Sequence, residues 1–327
     1  MTDPTVNELQ RMAAEMFGKE AALFVPSGTM GNLVSIGAHS PRGGEMIVGR
    51  LNHIFKYEGG GASSALGVAF HTLPNEPDGT LSLQNIAAAI RDTDDHYPKT
   101  TLVCVENTHN GCGGVPLTAE YMDSLGEFCH SRDIPLHVDG ARLMNAAVAE
   151  GVPAARLLEA ADSASICLSK GLGAPIGSIV VGSEPFIREA RRLRKRLGGG
   201  MRQAGVIAAC GIVALRDNVH DLERDHRLAK SMARGLSATD GIVLDPKSIR
   251  TNIIYFGVDE SVGSQRLVDE LGEYGFFIGT YGTDKCRAVV HRQVPDDTAD
   301  RFVDVVAEIM PRLQEEAAKK KANVVGE

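Results

Sequence analysis

The sequence predicts an α/β protein. A large domain, residues 1–220, would hold a mostly parallel sheet covered by helices, and residues 221–327 would form a smaller α+β domain. Three observations carry this expectation. Short apolar runs alternate with amphipathic helical stretches along the first two thirds of the chain. Four of those runs end in polar or glycine-containing turns, where open α/β sheets bind ligands. Near residue 220 the texture changes to a long helix followed by short strands.

The elements follow in order. Asp3-Pro4 caps and starts a helix with Val6, Leu9, Met12/Ala13 and Met16 on one face, and Gly18 ends it. "AALFV" reads as a buried strand, and "PSGTMGNL" as a turn into a second helix. Strands are expected at 101–107, 134–139, 165–169 and 176–182, with a helix over 118–132. This alternation implies βαβ units. Helical stretches at 184–197 and 202–216 lead to a longer one near 221–237. "GIVL", "TNIIYF", "FFIGT" and "RAVVH" are short strands, with the helix "SQRLVDELGEYG" between the second and third. The final helix, near 297–320, is expected to run out into a charged, frayed tail, "EEAAKKKANVVGE".

Composition narrows the function. Of 327 residues, 43% are hydrophobic and 23% charged, the profile of a soluble globular protein. A net charge of −8 argues against nucleic acid or anionic membrane as a partner. No run approaches the ~20 apolar residues of a membrane span. The start shows no basic region ahead of an apolar one, so no secretion signal is expected. Six scattered cysteines without a CxxC pair read as reduced thiols, and the chain as cytoplasmic without a zinc site.

The four strand ends are Ser27-Gly28-Thr29, Glu106-Asn107-Thr108-His109, Asp139 with Arg142, and Ser169-Lys170. In a parallel sheet they would face one crevice. Lys170 alone would be a lysine leaving a strand for solvent. In a crevice, an amine that loses solvation becomes a nucleophile able to form a Schiff base. Gly171, Gly173, Ala174, Pro175 and Gly177 after it would let backbone and cofactor approach closely. Asp139 in "HVDGARL" would cap a helix, or place a carboxylate beside the pyridine nitrogen of pyridoxal phosphate, whose protonated ring is an electron sink. Arg142 could grip a ring oxygen or a carboxylate in a fork. The glycine turn at Gly28 opens a helix and so offers backbone N–H groups to a phosphate. His53 and His109 flank glycine-rich loops and could stack on a flat cofactor or move protons. "REARRLRKRLGGGMRQAG" (188–205) is the one strongly basic stretch. It is a solvated helix face, or it brings Arg and Lys to a phosphate, in a neighbouring subunit.

Taken together and in order, "DPTVNELQRMAAEMFGKEAALFVPSGTMGN", "HIFKYEGGGA", "ENTHN", "HVDGARLMNA", "LSKGLGAPIGS" and "GGGMRQAG" resemble the low-specificity L-threonine aldolases over nearly the whole chain. Those are fold type I pyridoxal-phosphate enzymes of the β-eliminating lyase and threonine aldolase group. The resemblance implies that Lys170 carries the cofactor as a Schiff base and that Asp139 pairs with its ring nitrogen. It implies that Ser27, Gly28, Thr29 and Ser169 hold the phosphate, joined by Lys195 and Arg202 from a neighbouring subunit. His53 would stack on the ring and His109 would lie near the substrate hydroxyl. Arg142 and Arg287 would stand near the ring oxygen and the substrate carboxylate.

The activity so implied is cleavage of L-threonine or L-allo-threonine to glycine and acetaldehyde, a step of amino-acid metabolism, by a homo-oligomer, dimer or homotetramer, with a site shared between subunits. The proton acceptor for the hydroxyl stays open among His53, His109 and a water. Two alternatives stand beside this. One is a different fold type I lyase acting on another β-hydroxy or β-substituted amino acid. The other is a cofactor-binding protein with impaired catalysis. Family members carry a segment ahead of the point where this sequence opens, Met1-Thr2-Asp3-Pro4. That segment holds an SDT-type motif and a tyrosine at the substrate end of the site, so weakened substrate binding is expected of the chain as given.

Overall fold

A computed structural model describes residues 3–325. The chain divides into two compact units, the first ending at His220 and the second starting at Asp221.

The first unit is built on a seven-stranded sheet. Its strands are β1 (Ala21–Val25), β2 (Glu45–Gly49), β3 (Ala69–Leu73), β4 (Thr100–Glu106), β5 (Leu136–Asp139), β6 (Ser163–Cys167) and β7 (Ser178–Gly182). They lie in the order β1-β7-β6-β5-β4-β2-β3. The β2–β3, β2–β4, β4–β5 and β5–β6 pairs are parallel. β7 runs against both its neighbours, β6 and β1. The carboxyl ends of β1, β2, β4, β5 and β6 therefore share one edge of the sheet. All residues of β5, β6 and β7 are buried, as strands covered on both faces must be.

Helices cover both faces. Helix Pro4–Met16 starts where expected: the Asp3 carboxylate accepts the N–H groups of Thr5 and Val6, each at 3.0 Å. Helix Gly28–His39 starts at Ser27, whose hydroxyl accepts the Met30 N–H. This second helix lies directly on β6. A Cβ at Gly31 would come within 2.1 Å of Ser165 Oγ, so only glycine permits that approach. The apolar seam joins Leu23, Val25, Val34 and Val180 to Phe186, Ile187 and Leu193 of helix Glu184–Arg196.

The second unit has a four-stranded antiparallel sheet in the order β10-β11-β9-β8. Its strands are β8 (Ile242–Val243), β9 (Ile253–Val258), β10 (Gly279–Tyr281) and β11 (Lys285–Val289). Its core includes Phe256, Leu267, Leu271, Phe302 and Met310. The expected tail differs from what is observed. The last helix runs Thr298–Val325, well into the stretch expected to fray. Pairs one turn apart, such as Lys319–Glu315 at 2.7 Å, support it along its exposed side. The final two residues of that expected tail lie outside the described residues.

Among the described residues no helix is long and apolar enough to cross a membrane. The six cysteines are free thiols.

Candidate active site

The sheet edge gathers the polar strand ends. Glu106, Asp139 and Ser165 are directly opposed across β4, β5 and β6, so their side chains share one face. Asp139 is 2% exposed. Its Oδ2 accepts from Asn32 Nδ2 at 3.0 Å, and its Oδ1 accepts the Ala141 N–H at 3.1 Å. The expected helix cap is not what is observed: helix Leu143–Glu150 starts later, with Arg142 at its cap position and no side-chain cap, and Asp139 Oδ1 serves the turn between β5 and that helix.

Lys170 follows β6 by three residues and is half-buried. Cys167 and His53 both sense its charge, and both also sense that of Asp139. Lys170, Asp139, His53 and Cys167 thus share one electrostatic neighbourhood. The small residues after Lys170 do something the sequence did not suggest. They fold the chain back into β7, with hydrogen bonds from Gly173 N–H to Lys170 O, Ala174 N–H to Leu168 O and Leu168 N–H to Gly177 O. Gly177 has φ +106°, and a Cβ there would meet Phe24 at 2.5 Å. At this position the small side chain makes room for an aromatic ring of β1, not for a ligand.

His53 begins the short helix His53–Lys56 after β2. Its N–H donates to Glu106 Oε2 at 2.7 Å, and its Nδ1 lies 3.0 Å from Glu58 Oε1. The hydrogen bond to Glu58 is the largest influence on His53 and raises its pKa. Burial dominates at Glu58 and raises its pKa as well, against the hydrogen bonds from His53 and Asn32. Both shifts favour the protonated form of the two groups. The fully enclosed Glu106 is pushed up to about 7, by burial first and the Asp139 charge second. Its Oε1 also accepts the Asn110 N–H, so one carboxyl group ties the His53 loop to the His109 loop. The ligand atoms of His53, Glu58 and Asp139 lie within 4.8 Å of one another.

His109 is held differently from His53. It is 0% exposed. Its Nδ1 accepts the Cys112 N–H at 3.3 Å, and its Nε2 sits 2.9 Å from Asn52 Oδ1 and 3.0 Å from Asn75 Nδ2. Burial pushes its pKa down to about 4, so the ring is neutral at physiological pH.

The remaining expected residues are placed as follows. Ser27, Thr29 and Ser169 are exposed at the sheet edge, with Gly28 beside them. A Cβ on Gly28 would meet Cys167 Sγ at 2.8 Å, so the helix start sits tight against the end of β6. Arg142, half-buried, precedes helix Leu143–Glu150. Lys195 and Arg202 are exposed on either side of the Gly198–Gly200 loop. That loop packs on its own chain, since a Cβ on Gly199 would lie 3.1 Å from Met30 and 3.2 Å from Pro26. Arg287 belongs to the second unit, on β11, with its guanidinium 5.9 Å from the Tyr255 ring centre.

Four contributors were not singled out from sequence as members of the site: Asn32, Glu58, Glu106 in its clamping role, and His137, whose Nε2 lies 3.2 Å from Asn32 Oδ1. Two had a signal. His137 is two residues before Asp139 on a strand, hence on the same face. Asn32 is one turn after Gly28 on the helix.

The fold is α/β, and this edge of a mostly parallel sheet brings a lysine, a buried aspartate and a helix start together. The sequence matches the family described as Beta-eliminating lyase over residues 1–259, and the chain belongs to that family. It is 45% identical over 318 residues to low-specificity L-threonine aldolase 1 of Arabidopsis thaliana, covering 96% of this chain and 89% of the relative. It is 44% identical over 272 residues to the low specificity L-threonine aldolase of Escherichia coli strain K12, covering 83% and 78%. In fold it is similar to the threonine aldolase of Leishmania major, with a TM-score of 0.82 at 22% identity, covering 94% of this chain and 90% of that one.

Proposed function

We propose that the protein is a pyridoxal-phosphate-dependent aldolase that cleaves L-threonine or L-allo-threonine to glycine and acetaldehyde. The observation that carries this is the convergence of Lys170, Asp139 and the Gly28 helix start on one sheet edge. These residues fit the cofactor chemically: an amine for its aldehyde, a fixed carboxylate for its ring nitrogen, and N–H groups at the start of a 12-residue helix for its phosphate. The bound group would supply an electron sink for the bond between Cα and Cβ.

Lys170 would hold the aldehyde carbon. Asp139 is ready for a protonated ring nitrogen, because two N–H donors already fix its carboxylate. Arg142 is the guanidinium of this unit that we assign to the substrate carboxylate. His53 is favoured over His109 as acceptor of the hydroxyl proton. His109 is fully enclosed with both ring nitrogens engaged, whereas the His53 side chain is 34% exposed and, among the described residues, its ring is committed through Nδ1 to Glu58.

Product analysis with a panel of amino acids tests the reading. L-Threonine should give glycine and acetaldehyde in equal amounts. Ammonia and 2-oxobutyrate from L-threonine would show a β-elimination enzyme instead. The His53 assignment carries its own prediction. A base works deprotonated, and the Glu58 contact raises its pKa. The acid limb of kcat/KM should therefore lie above the usual imidazole range. In Glu58→Gln it should move to lower pH. A limb that stays put in Glu58→Gln would remove His53 from this role.

The assembly we infer is a homo-oligomer in which Lys195 and Arg202 serve a neighbour's phosphate. Mixing inactive Lys170→Ala with inactive Arg202→Ala subunits should then restore activity, because a hybrid dimer holds one intact site and one with both defects. The Gly199 loop packs on Pro26 and Met30 of its own chain, so the rival outcome is equally concrete. No recovery in well-exchanged mixtures would mean that each chain completes its own phosphate site.

A further inference from the structure

A line of buried polar side chains leads away from Asp139 under helix Gly28–His39. Asn32 Nδ2 donates to Asp139 Oδ2 at 3.0 Å and to Glu58 Oε1 at 2.8 Å. Asn32 Oδ1 lies 3.2 Å from His137 Nε2. His137 Nδ1 lies 2.8 Å from Ser163 Oγ, and Ser163 Oγ lies 2.8 Å from His39 Nε2. Asn32 and Asp139 are each 2% exposed, and His137 and Ser163 are 0% exposed.

The register of the fold produces this line. Asn32 and His39 are two turns apart on one helix, hence on one face of it. His137 and Asp139 are two apart on β5 and also share a face, and His137 is paired with Ser163 on β6. Gly31 lets the helix descend far enough for the two sets to meet.

We propose that Asn32, His137, Ser163 and His39 form a hydrogen-bond chain of one fixed direction that orients the Asp139 carboxylate, and that Asn32 and His137 are positioning residues for the reaction. This rests on the reading that Asp139 faces the ring nitrogen of pyridoxal phosphate.

The direction follows from the chemistry of each group. An ionised carboxylate only accepts, so Asn32 must turn its amide nitrogen toward Asp139 and its oxygen toward His137. His137 must then carry its proton on Nε2 and accept at Nδ1. Ser163 has one hydroxyl proton and gives it to His137 Nδ1. His39 must therefore donate from Nε2 to Ser163 Oγ. No link can reverse without opposing two donors or two acceptors. Burial supports this by keeping His137 neutral, its pKa pushed down to about 3. His39 is fixed in turn by stacking on Phe186, ring centres 4.6 Å apart. Donors to a carboxylate favour its ionised form, so removing one lets the carboxyl group compete for the proton that it should leave on the ring nitrogen. The chain therefore acts on how fully the ring nitrogen keeps its proton.

The test uses the whole enzyme loaded with pyridoxal phosphate carrying ¹⁵N in the ring, and reads the nitrogen's NMR shift alongside kinetics. Wild type should show a protonated ring nitrogen. In His137→Phe the shift should move toward the neutral ring. With it kcat should fall roughly tenfold or more, while KM for L-threonine moves less than about twofold. His137→Gln keeps an N–H near the position of Nε2 and should restore most of both readouts. Should His137→Phe not fold, Ser163→Ala removes the next donor and should shift the nitrogen the same way by less. An unprotonated nitrogen in wild type would overturn the assignment of Asp139, and this proposal with it. A protonated nitrogen in wild type, with shift and kcat unchanged in folded His137→Phe or in Ser163→Ala, would overturn the chain alone.

Discussion

Lys170→Ala should leave a folded protein that has lost turnover by a factor on the order of 10⁴ or more, because a tethered amine replaces a bimolecular encounter worth several powers of ten in effective concentration. The side chain is half-buried at a loop, so the sheet should survive its removal. The purified variant should also lack the visible absorption that wild type shows after loading with pyridoxal phosphate. The two readouts separate chemistry from folding, and circular dichroism controls the latter. Cleavage of L-threonine at near wild-type rates by Lys170→Ala would mean that another amine holds the cofactor.

Asp139→Asn should have the second largest effect. An amide cannot keep a pyridine nitrogen protonated, so the electron sink weakens. One such charge contact is worth about 3 kcal/mol, a loss of roughly a hundredfold or more in kcat. The structure adds a cost to the fold. Asp139 accepts through both oxygens, from Asn32 and from Ala141. An amide has one oxygen, so one of those buried donors is left facing an NH₂ group. An unmet buried donor costs about 1–3 kcal/mol, so the melting temperature should drop while pyridoxal phosphate still binds. Wild-type kcat with a lowered melting temperature would make Asp139 a structural acceptor for the turn and for Asn32, and nothing more.

The placement of these two residues at the sheet edge was legible in the sequence because each follows or ends a short, largely apolar run, and the carboxyl ends of such strands are where ligands of open α/β sheets sit. The first unit's strands were legible from the alternation of short, largely apolar runs with amphipathic helices, although β5 (LHVD) and β6 (SASIC) also carry buried polar side chains. What could not be read was contact between segments distant in sequence. Glu58 lies in a glycine-rich stretch that resembles any loop, and its importance comes from meeting Asn32 and His53 in space. Glu106 was visible as a strand-end acid, but its bonds to the backbone of His53 and Asn110 depend on where two loops cross. The small residues after Lys170 were read as space for a cofactor, whereas Gly177 is set by Phe24, more than a hundred residues earlier. The last helix was expected to fray because its tail is charged, yet spacing by one turn makes those charges partners.

In the function proposed here, pyridoxal phosphate is held covalently by one lysine, Lys170, just past the end of β6. Borohydride reduction of the loaded enzyme, followed by proteolysis and peptide mass mapping, tests it most directly. A phosphopyridoxyl group on the peptide containing Lys170, and on no other, is the predicted result; the label on a different lysine, or no stable label at all, would contradict it.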